Sequence, residues 1–169
     1  LPAVLLLVEW LEGRTWNRKM FVEKWPYISV AMVFGVISVF GKTGVLQSST
    51  LAQKILMACK SSVFYLQLMA WPQGFSLLYP YVKPVTLASP DFLIPIAVLV
   101  ALGLFAFWTL RWGRGVVFGL LWYLITVSPT FINFAKGGEL DVYFASDRYA
   151  YLPSLGIFFA VCWLAWHLL

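Results

Sequence analysis

The chain has 169 residues, of which 62% are hydrophobic and 11% are charged, and its mean hydropathy is +0.84. Soluble domains average roughly 45–50% apolar and about 25% charged residues, so this composition excludes an ordinary soluble domain and indicates an integral membrane protein. The formal net charge of +5 does not indicate a nucleic-acid partner, because the twelve Lys and Arg residues are scattered between apolar segments.

The N-terminal third predicts one partial helix, a basic loop and one crossing. Residues 1–10 are apolar but shorter than the roughly 20 helical residues that a membrane crossing needs, so we expect the end of a helix whose beginning precedes this sequence. Residues 9–24 are predicted to be a loop with four cations, which the positive-inside rule assigns to the cytoplasm. Residues 27–40 can cross the membrane if flanking residues are counted, and residues 41–50 begin with turn-forming residues.

The central segment 51–71 is long enough to cross, but Gln53, Lys60 and Gln67 recur every seven residues and form a polar stripe. If the basic groups on both sides of the segment are cytoplasmic, an even number of crossings must separate them. The flanking apolar segments already supply two crossings. We therefore expect an interfacial or re-entrant helix on the outer side, with Lys60 and Gln67 facing solvent or headgroups. The alternative is a spanning helix whose polar stripe faces the bundle.

Three later segments predict spanning helices, namely residues 92–110, 116–134 and 149–169. The expected fold is an all-α, multi-pass helical bundle with about four to five spanning helices and one amphipathic helix. The whole chain, residues 1–169, is expected to be a single fragment of a larger membrane domain. Cys59 and Cys162 lie in apolar segments without metal-ligand spacing, which indicates packing residues rather than a zinc site or a disulfide.

The outer face is predicted to carry residues 41–50, 72–91 and 135–148, and function is expected there. Four prolines keep the middle segment irregular, because proline lacks the backbone donor and disfavours helix at the preceding residue: Pro72, Pro80, Pro84 and Pro90.

The densest polar chemistry beside an apolar segment is residues 145–156, which read ASDRYAYLPSLG. Arg148 presents a planar, permanently charged fork that suits a phosphate at the headgroup boundary. The alternative is that Arg148 extends to the headgroups without a ligand and that Asp147 caps the last helix. Glu139, Asp141 and Asp147 could form an acidic cluster, but solvated carboxylates are the favoured interpretation, and no metal site is predicted.

This motif, preceded by an apolar helix ending in SPTFINFA, resembles the C-terminal membrane region of the TMTC-like, tetratricopeptide-repeat O-mannosyltransferases and their bacterial relatives. These are C-type glycosyltransferases. The resemblance extends to residues 71–81, WPQGFSLLYPY, and to the opening LPAVLLLVEW, which precedes a basic segment.

The resemblance implies transfer of a sugar, with mannose expected, from a polyprenyl-phosphate donor to an acceptor such as a protein Ser or Thr hydroxyl or a glycan. No other cofactor is implied. The reaction would lie on the outer or lumenal face of a bacterial inner membrane or of the endoplasmic reticulum. Arg148 would contact the donor phosphate, because a phosphate leaving group needs a fixed cation. Asp147 and Tyr149 would orient Arg148, and Lys83 would assist.

Tyr79, Tyr81 and Tyr151 are candidates for lining the path of the sugar or lipid, although an interfacial aromatic belt is the favoured role for each. The sequence departs from the family in one respect: no segment matches the first external loop with its catalytic acidic residue. The chain alone is therefore expected to be inactive. The alternatives are another polyprenyl-linked glycan enzyme, such as an O-antigen ligase or polymerase, and a non-enzymatic multi-pass transporter or scaffold.

Overall fold

The computed structural model describes residues 2–14, 17–41, 50–81, 85–87, 89–133 and 143–169, without the side chains of residues 39, 41, 132 and 133. Of these residues 78% are helical. The chain divides into two compact units, Leu1–Thr43 and Gly44–Leu169. That both belong to one fragment of a membrane domain stays a prediction.

The first unit contains two helices, α1 (Pro2–Leu11) and α2 (Arg18–Gly41). Glu9, near the end of α1, forms ion pairs within this unit. Its Oε1 lies 2.8 Å from Nζ of Lys24 and 3.0 Å from Nη1 of Arg14. The hydrogen bond to Lys24, followed by the hydrogen bond to Arg14, lowers the pKa of Glu9 below its ordinary value. The ion pairs of Arg14 and Lys24 with Glu9 therefore stabilise the contact between α1 and α2, in addition to any role of these cations in membrane topology.

The predicted basic loop over residues 9–24 is too long. Glu9 belongs to α1, while Arg18, Lys19 and Lys24 lie in the first two turns of α2, so only residues 12–17 separate the helices. Glu9 partly neutralises the positive charge of Arg14 and Lys24. This reduces the repulsion between like charges that would otherwise destabilise the first turns of α2. The apolar segment 27–40 is confirmed as helix. The predicted turn over residues 41–50 falls mostly outside the described residues.

The second unit begins with α3 (Leu51–Ala70). A capping box starts the helix: the backbone N–H of Gln53 donates to Thr50 Oγ1 at 3.4 Å, and Gln53 Oε1 accepts from the N–H of Thr50 at 3.1 Å. Gln53 of the polar stripe therefore accepts a backbone N–H at the start of the helix, which would otherwise lack a partner within the helix. The side chains that α3 buries recur mainly on one face: Leu56, Met57, Ser61, Ser62, Tyr65 and Leu68.

The remaining helices are α4 (Pro90–Thr109), α5 (Gly115–Val127) and α6 (Tyr151–Leu168). α4 and α6 match the predicted helices 92–110 and 149–169 to within two residues at each end. α5 differs from the prediction, since it ends at Val127 and continues as a 3₁₀ segment, Ser128–Asn133. Pro129 accounts for the change, because it lacks the backbone N–H that would donate to the carbonyl oxygen four residues earlier in an α-helix, although Ser128 before it still has α-helical dihedrals.

Three described helices are long and apolar enough to cross a membrane, and they correspond to Arg18–Ser38, Pro90–Thr109 and Tyr151–Leu168. The sequence predicted four to five. The apolar stretch Gly115–Phe131 is shorter than these three, and α3 is not sufficiently apolar. An interfacial or re-entrant position of α3 stays a prediction.

α5 and α6 pack closely as an antiparallel hairpin through small residues. A Cβ atom on Gly156 would lie 2.5 Å from the carbonyl oxygen of Gly119, and one on Gly119 would lie 2.7 Å from the Cβ of Ala160. Small residues let two helix backbones approach, which favours association of helices in a membrane. Trp122 adds a hydrogen bond across the hairpin, from Nε1 to the carbonyl oxygen of Leu152 at 3.1 Å.

Two short strands, β1 (Tyr79–Pro80) and β2 (Tyr143–Ala145), pair antiparallel, with Tyr79 opposite Ala145 and Pro80 opposite Tyr143. The all-α prediction is therefore incomplete. The pairing involves too few residues to produce a strand periodicity that could be recognised in the sequence. It brings the segment after α3 next to the segment before α6, which are the two segments that carry most of the predicted site.

Candidate functional site

Aromatic rings support the paired strands from the side of α3. Phe144 of β2 lies between two neighbours, with its ring centroid 5.2 Å from that of Phe64 and 6.1 Å from that of Tyr81. Phe64 also meets Tyr79 edge to face at 4.6 Å. Edge-to-face packing of this kind is favourable between aromatic rings. Phe144 thus connects the surroundings of Tyr79 with those of Tyr81.

The first polar centre is formed around Lys60, whose side chain is only 19% exposed. Its Nζ lies 4.5 Å from the ring centroid of Tyr81 and 3.7 Å from Oδ2 of Asp91. Phe92 and Phe144 lie slightly farther from the ammonium, at 5.6 and 5.7 Å. The expectation that Lys60 faces solvent or headgroups is wrong, because aromatic faces and a carboxylate attract the cation inward.

Tyr81 belongs to this centre and donates a hydrogen bond from its hydroxyl to Oδ2 of Asp91 at 3.3 Å. Burial, followed by the nearby charge of Asp91, raises the pKa of Tyr81. The arrangement links α3, the segment after β1 and the first turn of α4. It holds the elements around the site together, and its groups are already engaged with each other.

The second polar centre is formed by Tyr79 and Asp147. The hydroxyl of Tyr79 lies 2.8 Å from Oδ1 of Asp147 and also accepts the backbone N–H of Ser76 at 2.9 Å. Burial, together with the hydrogen bond to the carboxylate, raises the pKa of Tyr79. Tyr79 therefore remains a donor at neutral pH and fixes one oxygen of Asp147.

Tyr65 supports the backbone directly beneath the second centre. Its side chain is fully buried, and its hydroxyl accepts the backbone N–H of Ser146 at 3.1 Å. The Ser146 hydroxyl is also buried and has no hydrogen-bond partner within the described residues. The position of Asp147 is thus set by β2 before it and by Tyr79 beside it.

Arg148 is exposed and lies against its neighbour in the 3₁₀ turn Asp147–Tyr149. One guanidinium nitrogen, Nη2, donates to the hydroxyl of Tyr149 at 3.1 Å, and the guanidinium carbon lies 4.9 Å from the centre of that ring. Among the residues that the structure covers, no ion pair joins Arg148 to Asp147. Asp147 therefore does not orient Arg148 by a salt bridge, because its carboxylate is turned to Tyr79.

The structure brings most of the predicted site residues together. Asp147, Arg148, Tyr149 and Tyr79 are neighbours, and Tyr151, the first residue of α6, lines a groove that Asp147 also lines. Tyr81 belongs instead to the Lys60 centre. Lys83, Glu139 and Asp141 lie outside the described residues. Within the described residues, no group of three or more His, Cys, Asp or Glu side chains is placed to hold a metal ion.

Residues that sequence reasoning missed are Asp91 and Phe144, together with the inward orientation of Lys60. A signal for Lys60 existed, since a lysine within an apolar helix needs a partner unless it reaches water. Phe144 gave no signal, because a phenylalanine in a short polar segment is compatible with many environments.

A groove of about 450 Å³ opens beside Asp147, between the end of α3 and the start of α6. Its walls combine one carboxylate with mainly apolar and aromatic side chains, among them Leu68, Phe75, Tyr151 and Phe158. Such a combination can orient a ligand that has both hydroxyl groups and an apolar face.

Comparisons with known proteins identify no relative. No family model matches the chain, and no curated protein and no solved structure matches it.

Proposed function

We propose that this chain is part of a membrane glycosyltransferase that uses a polyprenyl-phosphate-linked sugar, and that Arg148 contacts the donor phosphate. The observation that carries the proposal is the exposed guanidinium of Arg148, which rests on Tyr149 immediately before α6. α6 is apolar and long enough to cross a membrane. If α6 crosses a membrane, a cation at its end would lie near the depth of the lipid phosphates.

The chemistry of Arg148 supports a phosphate ligand. A guanidinium has five N–H donors in a rigid fork, and one of them is used by the hydroxyl of Tyr149. The ring of Tyr149 limits the conformations of the guanidinium, which reduces the ordering cost when an anion binds. In glycosyl transfer, the bond from the sugar to phosphate breaks and negative charge develops on the phosphate oxygen, which a fixed cation stabilises.

The proposal includes the wider features that the resemblance implies. The helices would belong to a multi-pass bundle of the C-type, with the transfer site on the outer or lumenal face of a bacterial inner membrane or of the endoplasmic reticulum. Mannose is the expected sugar, and a protein Ser or Thr hydroxyl is an expected acceptor. Lys83 would be a second cation near the phosphate. The acidic residue that activates the acceptor would be supplied by a segment outside this chain.

Substitution of Arg148 tests the proposal through binding, which does not require the acidic residue that would activate the acceptor. With the full chain in nanodiscs, Arg148→Ala is expected to raise the Kd for a C55 polyprenyl phosphate about 10- to 100-fold, the loss expected for charge-assisted hydrogen bonds. Arg148→Lys should cause a smaller increase, since it keeps the charge but lacks the fork. In the intact enzyme, transfer should fall in the same order.

Arg111→Ala is the matched control, because Arg111 is also exposed but lies after α4, outside the site. The Kd of the Arg111→Ala variant for the polyprenyl phosphate should equal that of the unmodified chain. Unchanged polyprenyl phosphate binding in both Arg148 variants would refute the phosphate role.

A further inference from the structure

The groove beside Asp147 has the size and the lining of a site for a small ligand. Its volume of about 450 Å³ lies within the range of about 300–1,000 Å³ that is common for ligand pockets. Leu68 comes from α3, Phe75 from the following segment, and Tyr151, Ser154 and Phe158 from α6. Three separate elements of the second unit therefore converge on one concave surface.

Asp147 gives this groove an acceptor in a fixed orientation. Its Oδ1 accepts the hydroxyl of Tyr79 at 2.8 Å, and Tyr79 is itself held by the backbone N–H of Ser76. An ionised carboxylate has two oxygens with about four acceptor positions and no donor. Within the described residues, the carboxylate of Asp147 makes its hydrogen bond through Oδ1, and no hydrogen bond or ion pair engages Oδ2. The ligand that satisfies this oxygen must present a donor, and a hydroxyl group is a neutral donor.

The rest of the lining favours a ligand with an apolar face. Phe75, Tyr151 and Phe158 are 67%, 76% and 59% exposed, so their rings are available at the groove. A pyranose combines hydroxyl groups around its edge with one face formed mainly by C–H groups. The electron-rich face of an aromatic ring packs well against such C–H groups. A simple acyl chain would fill the same walls but would displace water from the half-buried carboxylate without supplying a donor in its place, which is unfavourable.

Arg148 directly follows Asp147 in the same 3₁₀ turn. A glycosyl phosphate has the sugar and the phosphate directly bonded, so its two recognition groups should also be neighbours in the protein. The guanidinium of Arg148 is oriented by Tyr149, whereas the carboxylate of Asp147 is oriented by Tyr79. The two side chains are thus held independently and can recognise different parts of one donor.

We infer that the groove lined by Asp147, Phe75, Tyr151 and Phe158 binds the hexose of the donor, with Asp147 accepting hydrogen bonds from its hydroxyl groups. This inference rests on the proposed function. It assigns Asp147 to the sugar instead of to Arg148, and it makes Tyr79 a positioning residue that acts through Asp147.

The test compares two ligands of equal charge, the mannosyl phosphodiester of a C55 polyprenol and the methyl phosphodiester of the same polyprenol. Both are added to the full chain in nanodiscs, and the ratio of their Kd values measures the contribution of the sugar. We expect the unmodified chain to bind the mannosyl ligand about tenfold more tightly, the gain expected from one or two hydrogen bonds to the carboxylate.

Asp147→Asn should reduce this ratio several-fold while leaving the Kd of the methyl phosphodiester unchanged. Asparagine retains an oxygen for Tyr79, so the local structure should persist, but it replaces the second acceptor with a donor. Ser154→Leu provides a second variant, because it narrows the groove without altering Asp147 and should also lower the ratio. Tyr79→Phe should give a smaller decrease.

Arg148→Ala separates the two proposals, since it should raise both Kd values and preserve their ratio. A ratio near one in the unmodified chain would overturn the sugar site, as would an unchanged ratio in Asp147→Asn and Ser154→Leu. If Asp147→Asn raises both Kd values equally, Asp147 acts on Arg148, and the inference is again overturned. Failure of the unmodified chain to bind either ligand would refute the proposed function itself, and the inference with it.

Discussion

Gly119→Ala is expected to destabilise the second unit by about 3 kcal/mol, near the upper end of the usual cost of overpacking. The added methyl group would overlap the carbonyl oxygen of Gly156 and would lie 2.7 Å from the Cβ of Ala160. Because the first of these neighbours is backbone, a side-chain rotation cannot relieve the overlap. α5 and α6 must then separate, which sacrifices the close approach that stabilises helix pairs in a membrane.

Gly103→Ala is the matched control, since Gly103 is also a helical glycine but a Cβ atom there would meet no atom within 4 Å. It should leave stability unchanged or raise it by up to about 1 kcal/mol, because alanine is the better helix former. Thermal unfolding of both variants in the same detergent, followed by tryptophan fluorescence, gives the comparison. Equal midpoints for the two variants would contradict the packing of the hairpin described above.

Phe92→Ala is expected to cost about 3 kcal/mol, the lower part of the range for a buried phenylalanine. Phe92 is fully buried, packs on Tyr81 with a centroid distance of 5.7 Å, and lies 5.6 Å from Nζ of Lys60. Removing the ring leaves a cavity and also removes one of the aromatic rings that lie near the partly buried ammonium of Lys60. The contact between α3 and α4 should loosen first.

The control for Phe92→Ala is Phe107→Ala on the same helix, where the side chain is 74% exposed. The same change in volume at this position should alter the free energy of unfolding by less than about 0.5 kcal/mol. Chemical unfolding in detergent measures both variants. If both variants lose the same amount of stability, Phe92 does not occupy the buried position that the structure assigns to it.

Helices α4 and α6 were predictable because long runs of apolar side chains define them. Residues 92–110 consist almost entirely of such side chains, and α4 occupies nearly the same range, Pro90–Thr109. The early end of α5 had a visible cause in Pro129, but the apolar residues on both sides of it favoured one continuous helix over residues 116–134. The sequence overestimates the length of the loop before α2, because charged residues are typical of loops, whereas Glu9 forms ion pairs with Arg14 and Lys24.

The composition of the candidate site was partly predictable, but its geometry was not. The motif around Arg148 stood out as a cation next to an aromatic residue before an apolar helix, and that contact is present. The partner of Asp147 is Tyr79, which lies 68 positions earlier, and only the pairing of β1 with β2 brings them together. Contacts between segments so far apart depend on tertiary structure and leave no local pattern.

The most direct test of the proposed function uses the unmodified chain and two lipids that differ only in the phosphate. A C55 polyprenyl phosphate and the corresponding C55 polyprenol are titrated into nanodiscs that contain the chain, at constant ionic strength. We predict at least tenfold tighter binding of the phosphate, as expected if Arg148 recognises it. Equal Kd values for the two lipids would contradict phosphate recognition and, with it, the assignment of this chain to a polyprenyl-phosphate-dependent glycosyltransferase.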